Sequence, residues 1–139
     1  MATKSDTSKV DEVRKAANRL NSEARTANEL MAGIALLLNK EMLKYNWVGF
    51  YMLEAGANPP MLALGHYQGA MTVHTRISLH EGICGAAASS GKTVVVDDVK
   101  KDPRYLACSI ETKSEIVVPV FVHGKVAGEL DIEIGRAHV

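Results

Sequence analysis

Two thiols and a few strand carboxylates are the side chains of this chain best suited to chemistry. Cys84 stands just inside a short alanine-rich segment opened by Gly82, GICGAAASSG. A thiol in the first turn of a helix lies near orphan N–H groups and the positive end of the dipole, which lowers its pKa. Cys108 lies in DPRYLACSIET, a polar loop that also carries Arg104 and is followed by Lys113. Either cysteine alone is also compatible with a core position, because free cysteine is among the most buried residue types. Together they are candidates for a redox pair. There is no C-x-x-C, and no third or fourth cysteine sets up a zinc frame.

The carboxylates are Glu115, Asp131 and Glu133, each inside an otherwise apolar stretch. A carboxylate there is costly unless it is solvated, paired or used. Asp131 and Glu133 share a strand face by the period of two, as do Trp47 and Tyr51 further up the chain. The aromatic pair reads most simply as core. An apolar pocket with convergent carboxylates would suit a small zwitterionic ligand. Other chemistries find little support. The five histidines are scattered with no H-x-x-x-H, so no metal site is expected; GAAASSGKT departs from the phosphate-loop spacing, and G-x-S-x-G is absent.

Sixteen basic and sixteen acidic residues cancel, which removes the electrostatic case for nucleic acid or an anionic membrane. The length of 139 residues fits one domain with its own core, and 47% hydrophobic with 23% charged residues is globular composition. No apolar run reaches the roughly 20 residues of a membrane span, and MATKSDTSK does not read as a signal peptide. A cytoplasmic location is the expectation. In a reducing compartment the two cysteines would act as thiols and not as a permanent staple.

The elements that must position these residues follow from periodicity. Apolar residues at 10, 13, 17, 20, 24, 27, 31, 34 and 38 make one helical stripe, with Ser8 as N-cap and a break near Asn21-Ser22. It predicts one or two helices covering a sheet, the alternative being a dimerising coiled coil. Strands are expected at 46–53, 61–68, 73–79, 93–97, 115–122 and 126–134, the last two joined by a hairpin at His123-Gly124-Lys125. Gly82–Gly91 reads as a short helix ended by its glycine, and 98–114 as a long polar loop. The sum is an α+β domain on a mostly antiparallel, six-stranded sheet.

The blocks WVGFY (47–51), HTRI (74–77), GICGAAASSGKTVVVDDV (82–99), the AC at 107–108, SEIVVP (114–119) and GELDIE (128–133) resemble the free methionine-(R)-sulfoxide reductases, small stand-alone GAF-domain enzymes. The resemblance runs over about residues 20–133, in the family's order and spacing. It implies a GAF-like fold over 21–134, with 1–20 as an N-terminal helical segment packed on one face. It further implies Cys108 as the catalytic thiol and Cys84 as the resolving partner. Trp47 and Tyr51 would line the methionine side, with Glu115, Asp131 and Glu133 facing the sulfoxide and the amino group. The implied reaction reduces free methionine sulfoxide through a sulfenic acid and a disulfide, reset by a thioredoxin-type reductant, with no metal or organic cofactor.

This sequence departs from the family pattern in two places. His74 stands where the family often has a third cysteine. The last strand reads DIEIGRAHV where the family continues from Asp-Ile-Asp-Ser into a helix, so 135–139 reads as a truncation or an added tail. A homodimer is the expected compensation. Two other function classes stay open: a non-catalytic GAF sensor for a small molecule, and a helix-mediated interaction module whose cysteines are core.

Overall fold

A computed structural model describes residues 4–106 and 112–135 of the chain. Two long helices come first, α1 (Lys4–Glu23) and α2 (Ala27–Glu41). Their stripe is continuous in sequence, but the break falls at 24–26 and not at Asn21-Ser22. Thr26 takes an extended conformation there and its side chain accepts the Glu29 N–H, a hydroxyl N-cap that starts a new helix. Ser8 lies inside α1 and caps nothing at the expected start.

The sheet has six strands, all antiparallel, in the order β3-β2-β1-β6-β5-β4: β1 (Tyr45–Leu53), β2 (Met61–Gln68), β3 (Arg76–Ser78), β4 (Val94–Val96), β5 (Ser114–Val122) and β6 (Lys125–Ile134). The two edge strands are shorter than their sequence runs, three residues each. Among the described residues, the expected loop 98–114 holds a 3-10 turn, Val99–Lys101, capped by the Asp98 side chain. The short helix α3 (Gly82–Ser90) ends as expected, with Gly91 in the left-handed region.

Both sheet faces are covered. Met31, Ile34, Ala35 and Leu38 of α2 pack on Val48 and Phe50 of β1 and Ile132 of β6. On the opposite face Ile83, Cys84, Ala87 and Ala88 of α3 pack with Trp47, Tyr51, Leu62, Val96 and Val117. Each large side chain fully buried this way contributes roughly 1.5–3 kcal/mol, so the two clusters hold the helices to the sheet. Gly85 lets α3 come close: a Cβ there would lie 2.8 Å from the Ser78 carbonyl oxygen.

Candidate active site

The β6 segment Glu129-Leu130-Asp131-Ile132-Glu133 alternates acid with apolar residue, so the acids share one face and the apolar side chains the other. Leu130 and Ile132 go to the α2 side. The three acids point to the α3 side, at the centre of the sheet. Pairing carries the pattern sideways: Glu133 lies between Trp47 of β1 and Glu115 of β5, Asp131 between Gly49 and Val117, and Glu129 between Tyr51 and Pro119. The four acids are at most 5% exposed, Glu129 and Glu133 being fully buried.

The aromatic side chains form a wall beside them. The Trp47 ring stacks on Tyr67 at 5.6 Å between centroids and on Tyr51 at 6.2 Å. Gly49 makes room for it, since a Cβ there would run into the indole and lie 2.8 Å from Tyr67 Cβ. The polar tips of the wall tie down the strap between β2 and β3. Trp47 Nε1 donates to the Ala70 carbonyl at 3.1 Å, and the Tyr51 hydroxyl donates to the His74 carbonyl at 2.7 Å.

Cys84 closes the set from above. Its thiol donates to Asp131 Oδ2 at 3.3 Å, and donor atoms of Cys84, Glu115 and Asp131 all lie within 4.8 Å of one another. Across the cluster the Tyr105 hydroxyl donates to Glu133 Oε1 at 3.2 Å. Both Glu129 oxygens and Asp131 Oδ1 are buried without a hydrogen-bond partner of normal geometry among the described residues. A small cavity lies between His74, Ile77, Ile83, Cys84, Leu106 and Glu115.

Electrostatics follow from this crowding. Burial pushes Glu129 up to about 8, with the Glu115 charge adding to the shift and contact with the Cys84 thiol opposing it. Glu115 is raised further, first by burial and then by the neighbouring Asp131. Asp131 is raised by burial as well, while its hydrogen bonds to Glu115 and Cys84 pull the other way. The protein therefore holds carboxylic acids, with protons to give, at neutral pH.

The same surroundings correct one expectation. Cys84 does stand in the first turn of α3, yet its thiol is pushed up and not down. Burial is the first cause, and the charges of Asp131, Glu129 and Glu115 are the next. Desolvation with three nearby carboxylates outweighs a partial helix charge. The folded arrangement thus brings together Trp47, Tyr51, Cys84, Glu115, Asp131 and Glu133 of the residues expected from sequence. Cys108 lies outside the described residues. His74 is on the cavity wall.

Two residues escaped the sequence reading. Glu129 was detectable, because the period of two that joins Asp131 to Glu133 extends to it. Tyr105 sits in a loop, where no periodicity marks which way a side chain points.

A GAF domain family model matches residues 27–137. The free methionine-R-sulfoxide reductase of Escherichia coli is 36% identical over 119 residues, 78% of this chain and 69% of that protein. The chain is a GAF-domain member of the free methionine-R-sulfoxide reductase family. The Saccharomyces cerevisiae enzyme of the same name is 44% identical over 89 residues, 63% of this chain. This GAF domain spans about half of that yeast relative's length, 48%. The free methionine-R-sulfoxide reductase of Neisseria meningitidis, solved in complex with its substrate, superposes with a TM-score of 0.83 at 31% identity, covering 99% of this chain and 79% of that one. None of the described helices is long and apolar enough to cross a membrane.

Proposed function

We propose that this GAF domain reduces free methionine-(R)-sulfoxide to methionine, with Cys108 as the attacking thiol and Cys84 as its resolving partner. One observation carries the reading: a buried set of carboxyl groups, some holding protons and free to give one and others able to pair a cation, faces an aromatic wall. An ammonium group is held by carboxylates and a thioether by apolar rings, and a sulfoxide oxygen needs a proton donor. A neutral or peptide-bound amine would leave the carboxylates without a cation, so the free amino acid fits better.

In the first step the Cys108 thiolate attacks the sulfoxide sulfur while Glu115, protonated at neutral pH, donates to the oxygen. The substrate S–O bond breaks, the oxygen passes to Cys108 as a sulfenic acid, and methionine leaves. In the second step the Cys84 sulfur attacks Cys108 and the hydroxyl leaves as water. Asp131, which accepts the Cys84 hydrogen bond, takes the thiol proton and passes it to the leaving hydroxyl, which completes the water. That transfer is needed because the Cys84 thiol does not ionise readily by itself. A dithiol reductant of the thioredoxin type then restores both thiols and is itself oxidised to a disulfide. A reducing cytoplasm suits this cycle. Exposed apolar residues on and beside the helical layer, Val10, Leu36 and Leu43, support a homodimer.

The test is reductant consumption with free R-sulfoxide, free S-sulfoxide and a sulfoxide-containing peptide, run on the chain and on Cys84→Ser and Cys108→Ser. Only the free R form should turn over. Cys108→Ser should lose all turnover, while Cys84→Ser should still release one methionine per chain. Full turnover by Cys108→Ser refutes the mechanism. Tight ligand retention with no thiol-dependent turnover favours a sensor.

A further inference from the structure

Glu129 is fully buried in the middle of β6 and has no task in the two steps of the reductase cycle. Register places it between Tyr51 of β1 and Pro119 of β5, on the face that Asp131 and Glu133 share. From α3 the Cys84 thiol comes down on this face and meets both Asp131 and Glu129. A thiol has one proton to donate, and Cys84 gives it to Asp131 Oδ2 at 3.3 Å. Neither Glu129 oxygen has a hydrogen-bond partner of normal geometry among the described residues, so no second donor there satisfies an ionised carboxylate. An ionised Glu129 would turn a bare oxygen toward the sulfur, whereas a protonated one turns a donor toward it.

We infer that Glu129 is a positioning residue that acts through Cys84, steadying the thiolate of the resolving step while protonated and opposing it when ionised. The inference rests on the reading of Cys84 as the resolving thiol. As Asp131 takes the thiol proton, the sulfur gains charge, and the Glu129 hydroxyl meets it with a charge-assisted hydrogen bond. Glu129 keeps its own proton throughout. The Cys84 proton passes through Asp131 to the hydroxyl of the Cys108 sulfenic acid, water leaves, and the two sulfurs join as the disulfide.

Burial, with the Glu115 charge adding to it, holds Glu129 protonated up to about 8 against the pull of the thiol contact. The thiol itself is already raised by burial and by Asp131, and an ionised Glu129 raises it further. Of the phenols on this side, Tyr51 donates to the His74 carbonyl and Tyr105 to Glu133. The resolving step should therefore slow at a pH where an ordinary thiol speeds up.

The experiment reads the Cys84 thiolate by its ultraviolet absorbance across pH in full-length Cys108→Ser, where Cys84 is the only thiol. The spectrum of Cys84→Ser/Cys108→Ser is subtracted to remove the tyrosines. Glu129→Gln in the Cys108→Ser background keeps the shape of the side chain and a donor but cannot ionise. It should move the Cys84 titration down by about one pH unit, which is about tenfold more thiolate at a given pH. A second arm needs no change at position 129. In single turnovers of the wild-type chain with free R-sulfoxide, thiol loss after methionine release should slow above pH about 8. An unchanged Cys84 titration in Glu129→Gln, or a wild-type resolving rate that does not slow above that pH, overturns the inference. Sulfoxide turnover with an unchanged titration keeps the reductase reading and removes Glu129 from it. A shifted titration with no sulfoxide turnover keeps the hold of Glu129 on Cys84 and removes the reductase reading.

Discussion

Tyr105 donates to Glu133 from a loop that packs against the core on the α3 side. Asp102 pairs with Arg104, which holds the Asp102 carboxyl down at about 2, and the Tyr105 N–H donates to the Asp102 carbonyl at 3.2 Å. Leu106 then lies over Gly82, whose left-handed backbone and missing Cβ leave it room; a Cβ there would sit 2.9 Å from Leu106 Cδ1. The phenol therefore joins the covering segment to the acid cluster. Removing the hydroxyl leaves a carboxylate oxygen with one donor fewer. Tyr105→Phe should lower stability by about 1–3 kcal/mol in urea unfolding monitored by circular dichroism. An unchanged midpoint would show that the bond adds nothing to the fold.

At the scale of elements, β1 is the strand on which both layers depend. Its even positions Val48 and Phe50 meet α2, and its odd positions Trp47 and Tyr51 meet the acid cluster. Gly49 sits between Trp47 and Tyr51 on the odd face and opposite Asp131, and its missing side chain is where the indole rests. Gly49→Val would put branched atoms in the ring's place at a position closed by Tyr67. Overpacking of this kind costs roughly 1–3 kcal/mol, and here it should also displace the only tryptophan. Urea unfolding followed by tryptophan emission should show a lower midpoint and an emission maximum shifted to the red in the native baseline. A variant with wild-type emission would mean that the indole does not need the glycine.

Much of this level was legible from sequence. The strands β1, β2, β5 and β6 follow runs of apolar and β-branched residues bounded by turn formers, and Gly91 ends α3 by its own backbone preference. Periodicity is blind to what it does not contain. The break between α1 and α2 lies inside one unbroken apolar stripe and is set by the Thr26 side chain as a cap. The run 73–79 pairs with β2 only at Arg76–Ser78, because the strap before it is drawn to Trp47 and Tyr51 instead.

For the whole molecule, the buried acids couple folding to pH. An unfolded glutamate ionises near its ordinary value of 4.5, whereas folded Glu129 holds its proton up to about 8. The folded state then binds more protons across that window, so stability is greatest below about 4.5 on this account and falls as pH rises towards 8. Asp102 acts in the opposite sense but in a separate window: its stabilisation is lost only as pH falls from 3.8 towards about 2. Thermal midpoints should therefore drop between pH 5.5 and 8.5. Glu129→Gln, which carries no ionisable proton, should flatten that slope. An equal slope in the variant would place the dependence elsewhere.

What the sequence determined by itself was local. Alternation placed acids on one face of β6 and aromatics on one face of β1, and the order of motifs placed the chain in its family. Which faces would meet was decided only by the tertiary structure. Sheet order puts β6 between β1 and β5, so Trp47, Glu133 and Glu115 form one row and Gly49, Asp131 and Val117 the next. α3 then lowers Cys84 onto them. The character of that thiol reversed for the same reason: a helix start is a local feature that favours the thiolate. Desolvation and three carboxylates brought from two other strands are non-local, and in a buried site they are stronger.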